Sequence, residues 1–484
     1  MRRTYIGIFA CCVLAGTSRA DFNSAEAAYG RGDLTQAAGE FERLAEMGDE
    51  RAQYNLSLML ANGRGVPRDF TAALGWSLAA QDNGVAQAAG VIDQLRRLTT
   101  AEQVTQAEQY VTRYGQAALA PQTATFFTST PGATLKVAHS IEVVFPDAAA
   151  YHGTLGWVDA FVVVGATGDV RQVWIANSVP AGLFDRVVQR GLESTHFLPI
   201  TMKGRPVAAL SFIRMKFTVG GDTALDRPRL VSWLDSLRGQ ADKGDSEAQH
   251  TLGIFAGAYG ELAKHVGSSE EWLLKAAKAG NVDATFEQAW CVLAGACSIE
   301  RADAVAKLMF AARHGSKGAA MILVAVAQAE GTREGEVRAW RWLRPVAATG
   351  YGPAMKWLAN LLVSSPFAEV RDPSYGEAIA DKLRGNNAFD DDPDVWQISA
   401  AAAAARGDFE SALRDLDKAI KLARDRAWTL VPLQQRHDAY AVHGKWDGYV
   451  LEPARTFAPP SDLQRHARSC EETARLGSHI PECE

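Results

Sequence analysis

The chain has 484 residues, 47% hydrophobic and 22% charged, with 50 basic against 56 acidic side chains and a net charge of -6. At roughly 150 residues per domain, that length predicts about three domains, each able to bury a core. The balance excludes a wholly disordered, collagenous or polytopic membrane chain, and the acidic net charge argues against a polyanion binder, whose affinity comes from clustered Lys and Arg.

Met1-Arg2-Arg3 is a basic start, Tyr5 to Gly16 is a short apolar run, and Ser18-Arg19-Ala20 places small residues just before Asp21. This is the pattern of a secretory signal. A run of about twelve residues falls short of the 18 or more that a spanning helix requires, so a cleaved signal over 1–20 is expected rather than an inner-membrane anchor. Cleavage removes Arg2, Arg3 and Arg19 and no acidic residue, leaving 47 basic against 56 acidic groups, a net charge of -9. It also removes Cys11 and Cys12 and leaves Cys291, Cys297, Cys470 and Cys483. An even set in an oxidising compartment reads as disulfides. The closest pairs in sequence are Cys291 with Cys297 and Cys470 with Cys483, although four cysteines permit three connectivities. Zinc fits poorly, because neither pair has Cys-x-x-Cys spacing.

From residue 48 a Gly-x-x-x-Ala pattern recurs at Gly48/Ala52, Gly84/Ala88, Gly244/Ala248, Gly280/Ala284, Gly315/Ala319 and Gly350/Ala354. Trp76, Trp272 and Trp342 stand eight residues before their glycines, with Ala79-Ala80, Ala276-Ala277 and Ala347-Ala348 between. The spacing predicts two helices per repeat, one ending at the glycine and the next opening near the alanine. These residues resemble the Sel-one-like repeat, a relative of the tetratricopeptide hairpin. The clearest copy runs from Ala52 to Gly84, with Asn62-Gly63-Arg64-Gly65-Val66-Pro67-Arg68-Asp69 as its inter-helix turn, and the copies after residue 240 have lost that turn. Tyr29-Gly30-Arg31-Gly32-Asp33, followed by Ala37 and Phe41, looks like a tetratricopeptide hairpin.

Between about 131 and 221 the helical period gives way to runs rich in Val, Ile and Phe. Val158 to Val164 and Val170 to Ala176 read as a hairpin turning at Thr167-Gly168-Asp169. Leu183, Phe184, Val187, Val188 and Leu192 share one helical stripe, and Val207 to Val219 reads as one long strand. One helix across a small antiparallel sheet is the expected assembly. The order Gly156-Trp157-Val158, Gly168-Asp169-Val170, Phe184-Asp185, Phe197-x-Pro199, Gly204-Arg205-Pro206-Val207 and a closing strand to Phe217 resembles the C-terminal domain of TonB-family energy transducers. That resemblance implies capture of an outer-membrane transporter's segment as an added strand. The edge would then be the 206–219 strand, with Ile213, Arg214, Met215, Lys216 and Phe217 as candidate partner-binding residues. A transducer's long Pro-rich spacer is missing, since residues 99–130 contain only Pro121. A sheet that merely docks the two helical arrays is the alternative.

Beyond the module, Arg338, Arg341 and Arg344 fall at helical spacing, as an acid-binding stripe or the wet face of an amphipathic helix. Asp390-Asp391-Asp392-Pro393-Asp394 lacks the alternation of a calcium loop and is expected to be a solvated loop capping the next helix. Ile398 to Ala405, Arg406-Gly407-Asp408-Phe409, Ala412 and Ala419 repeat the tetratricopeptide look. The division expected is a signal over 1–20, repeats over 21–98, a helical segment and linker over 99–130, the mixed module over 131–221, degenerate repeats over 222–368, hairpins over 369–450 and a tail over 451–484.

No phosphate loop, nucleophile elbow or His-Glu-x-x-His helix occurs. The sequence therefore predicts a mainly α protein, an α-solenoid of helical hairpins with an inserted α+β domain. Its expected role is that of a non-enzymatic periplasmic adaptor without cofactor or metal, binding envelope or outer-membrane proteins and no nucleic acid. A membrane-anchored energy transducer and an envelope enzyme with an unrecognised site are the alternatives.

Overall fold

The computed structural model describes residues 20–121, 126–127, 134–138, 156–217, 227–258, 266–293, 301–444 and 446–459. The signal segment, Cys297, Cys470 and Cys483 lie outside them. Among the described residues there are nineteen α-helices and six strands.

The N-terminal arm holds α1 (Ala20–Arg31), α2 (Leu34–Glu46), α3 (Glu50–Asn62), α4 (Phe70–Asp82), α5 (Ala88–Arg96) and α6 (Ala101–Tyr114), closed by a 3-10 turn at Ala117–Leu119. Successive helices from α1 to α5 pack on one another, as stacked hairpins do, and α6 packs back onto α4. Two cores of its own hold the arm together. One surrounds Phe22, Phe41, Leu56 and Trp76, and the other surrounds Leu74, Ile92 and Leu95. Trp76 supplies the bulk expected of it, its ring 5.0 Å from Tyr110 and 4.7 Å from Tyr114 on α6.

The repeat has a simple physical basis. Gly48 takes φ 85°, open to a residue without Cβ. Asp49 then caps α3 by accepting from the Arg51 and Ala52 amides at 2.9 Å, and Ala52 is fully buried. The same device recurs far along the chain, where Asp245, Asn281 and Ser316 accept from the amides of Ala248, Ala284 and Ala319. Gln53 and Gln249, at equivalent positions, donate to the carbonyls of Ala45 and Ala241 at 3.2 and 2.9 Å. The degenerate copies are therefore structural copies.

The mixed module follows the expected order. β1 (Gly156–Val164) and β2 (Val170–Val179) form an antiparallel hairpin, and α7 (Asp185–Glu193) follows. The long closing strand is instead two elements. β3 (Ile200–Met202) and β4 (Arg205–Val207) make a small hairpin, and β5 (Ala209–Phe217) then pairs antiparallel with β1. Lys203 and Gly204, both at positive φ, form the intervening turn and take 205–207 out of the main sheet.

The C-terminal array comprises α8 (Arg227–Ala241), α9 (Ser246–Ala258), α10 (Ser269–Lys278), α11 (Val282–Leu293), α12 (Arg301–Arg313), α13 (Lys317–Ala329), α14 (Arg333–Ala348), α15 (Gly352–Ser364), α16 (Pro373–Arg384), α17 (Pro393–Ala405), α18 (Phe409–Asp425) and α19 (Val431–Ala441). The segment after it returns to the sheet. β6 (Thr456–Phe457) pairs parallel with β5, giving the order β2-β1-β5-β6. The first residues of the stretch expected to be a tail are thus packed inside, with Leu451, Ala454, Thr456 and Ala458 each about 1% exposed or less.

All nine residues of β1 are buried, so the sheet is covered on both faces. Val158, Ala160 and Val162 pack under Phe184, Val188 and Leu192 of the α7 layer. The opposite face lies along the array: Trp157 packs 4.9 Å from Phe255 of α9, Phe161 4.6 Å from Trp290 of α11, and Val163 belongs to the core of α13 and α15. The module is therefore bedded on the array.

Candidate interaction surfaces

The proposed partner-binding residues sit mostly inside the fold. Ile213 is fully buried, and Phe217 stacks on Phe184 at 4.1 Å. Arg214 grips Asp159 through two bonds of 2.6 and 2.7 Å. Met215 is half-buried, and Lys216 alone among the five is exposed. The β5 edge is occupied over its first residues by the chain itself. Arg455 donates to the Ala208 carbonyl at 2.8 Å, Ala458 to that of Leu210 at 2.9 Å, and Ser211 Oγ to the Ala458 carbonyl at 2.6 Å. The side chain of Asn360 clamps the approach, pairing with the backbone of Leu451 at 2.9 and 3.0 Å. Sequence reasoning missed this because the partner lies some 250 residues away and carries no motif.

The aspartate run divides in two. Asp390 and Asp391 are exposed, whereas Asp394 is fully buried and Asp392 nearly so, a correction to the solvated loop expected. Asp392 does cap the next helix, accepting from the Asp394 amide at 2.9 Å. It also takes Lys356 Nζ at 2.8 Å, and Asp394 takes the Arg171 guanidinium through bonds of 3.2 and 2.5 Å. Gln397 bridges onward to buried Arg436, whose guanidinium burial pushes down to about 10. Arg171 is free to reach Asp394 because the β1–β2 register shifts there, so its side chain leaves the regular alternation. Its carbonyl accepts from Lys356 at 2.7 Å and its guanidinium lies 4.6 Å from the Trp428 ring. Around this network lies a small cleft lined by Arg171, Gln172, Glu193, Lys356, Arg426 and Trp428. Its positive groups already face carboxylates, so it works as a polar seam between sheet and array. Asp169 adds a second tie, its carboxylate accepting from the Thr429 amide of the array at 3.4 Å and, within the module, from Thr167 at 2.6 Å.

The arginine stripe is neither an open acid-binding surface nor a wet face. Arg344 pairs with Asp49 and Glu50, and Arg338 with Glu330. Arg341 donates to Asn83 Oδ1 at 2.9 Å and to the Gly115 carbonyl at 3.2 Å. Burial, reinforced by the charge of Arg344, pushes the Arg341 guanidinium down to about 10. Arg341 and Arg344 dock the N-terminal arm onto α14, while Arg338 is spent within the array.

Cys291 lies in the last turn of α11 and is disulfide-bonded; its partner is outside the described residues. Among the described residues no group of three His, Cys, Asp or Glu could hold a metal ion, and no helix is long and apolar enough to cross a membrane. Exposed apolar side chains include Trp233 on α8, Leu274 on α10 and Phe310 on α12.

No protein-family profile matches the chain, and no curated protein does. Among solved structures, a protective antigen present in uropathogenic Escherichia coli strains and displaying an SLR fold is similar over 96% of this chain and 85% of its own, at 16% identity and a TM-score of 0.31. A likeness that low carries no argument, and the α-solenoid assignment rests on the stacked hairpins themselves.

Proposed function

We propose that the protein is a periplasmic adaptor, without chemistry of its own, that holds protein partners on Sel-one-like helical repeats braced by the sheet module. The observation that carries the reading is the bedding of β1 along α9, α11 and α13. It fixes the sheet along the C-terminal helical stack, with Trp233, Leu274 and Phe310 turned outward. Extended repeat surfaces with exposed aromatics suit protein recognition. The disulfide at Cys291 is in keeping with an oxidising compartment, and Cys297 is its proposed partner.

A second reading keeps strand addition, as the TonB-like resemblance implies. It is supported by the β5 edge accepting 455–458 as a parallel strand, and it places a partner segment farther along, beside Lys216. Photoreactive residues introduced singly at Trp233, Phe310 and Lys216 in living cells test both. Discrete protein adducts at Trp233 or Phe310 are expected; adducts at Lys216 alone would favour strand addition, and none at any position would overturn the adaptor reading.

A further inference from the structure

The N-terminal arm is tied to the rest of the molecule in an unusual way. Its two cores are its own, and only Met47 and Leu119 of residues 20–119 join the main core. What holds it is the face of α14 and its neighbours. Arg344 takes the paired carboxylates of Asp49 and Glu50 at the start of α3, and Arg341 takes the chain ends of α4 and α6 at Asn83 and Gly115. Arg313 donates to the Gln116 carbonyl at 3.2 Å, Trp342 to that of Leu119 at 3.4 Å, and Arg333 lies 3.9 Å from Glu46. A polar contact between two bodies with separate cores is the kind that opens and closes.

We propose that the arginine face of α14, Arg333 to Arg344, is a recognition surface for acidic helix starts on partner proteins, and that the N-terminal arm is its resident ligand in cis. The partner's chemistry is read from the occupant: an Asp at the N-cap followed by Glu, two carboxylates side by side that one planar guanidinium can engage. Such a partner competes with Asp49-Glu50 and lifts the arm. Gly48 shows how close the fit is, since a Cβ there would collide with the Arg341 side chain. The proposal rests on the adaptor reading and names one of its sites.

The test uses the full chain carrying Asp49→Asn and Glu50→Gln, which keeps an N-cap on α3 while removing both charges. The probe is a fluorescent peptide with the sequence of residues 46–62. Hydrogen exchange across 46–53 and 338–344 should quicken in the variant, and the peptide should bind it at least tenfold more tightly than it binds the natural chain. Arg344→Gln added to that variant should abolish binding. Gly48→Ala, which wedges the seam without touching the acids, provides a second route should the first variant misfold, and should also increase binding. Unchanged exchange in both variants, peptide binding that survives loss of Arg344, or a doubled mass from arm exchange between copies would each overturn the proposal. None of these readouts depends on the cross-linking experiment above, so the two can fail separately.

Discussion

Burial of Glu287 on α11, together with the charge of Asp159, pushes its carboxyl up to about 8. In the unfolded chain the same group titrates near 4.5. Between those values the fold binds the proton and the unfolded chain does not, so this contribution to stability is present at low pH, declines as pH rises through the window and levels off above it. Glu287→Gln should flatten that slope and raise the melting midpoint at pH 8 by a few degrees, with little change at pH 4.5. Equal slopes in thermal melts of both proteins would refute the assignment. Burial raises the Asp394 carboxyl as well, but Arg171 and Lys356 oppose that rise and Gln397 donates to it. Asp394→Ala leaves the largely buried Arg171 guanidinium without its carboxylate and should cost about 3–5 kcal/mol in urea titration. Asp394→Leu with Arg171→Met, which removes both charges, should cost less. At this scale the sequence located the aspartate run but not its partners, since acids followed by Pro look alike whether solvent or a distant Arg and Lys face them.

Among the elements, the helices follow from local chemistry. A positive-φ glycine, a capping Asp, Asn or Ser and a buried Ala are contiguous, so they can be read from sequence even where the inter-helix turn has decayed. The β1–β2 hairpin and α7 were legible for the same reason. β6 was not, because two residues of parallel pairing gain nothing until the array has folded around them. Phe457 holds that strand in an aromatic cluster, 5.2 Å from Trp290 and 5.9 Å from Phe127. Phe457→Ala should cost about 3–5 kcal/mol by cavity formation, and the amides of Arg455 and Ala458 should lose exchange protection while the helices of the N-terminal arm keep theirs. Uniform loss of protection throughout would show instead that the strand and the arm unfold as one unit.

For the whole molecule, the basic start, short apolar run and small residues before Asp21 predict a protein recovered from the periplasm with Asp21 as its first residue. N-terminal sequencing of the fractionated protein checks this, and an intact Met1 in the membrane fraction would favour the anchored transducer. The solenoid class, the position of the mixed module and the residues that build each hairpin were set by the sequence alone, because they depend on neighbours within about 35 residues, where periodicity and capping are visible. Which surfaces remain available was decided only by tertiary structure. The sheet beds on the C-terminal array, the chain's end takes the first part of the β5 edge, and α14 spends its arginines on the chain's own N-terminal arm. Each of those contacts joins residues about 100 or more apart, and a charge or an apolar face carries the same local signature whether its counterpart lies in another protein or at the far end of the same chain.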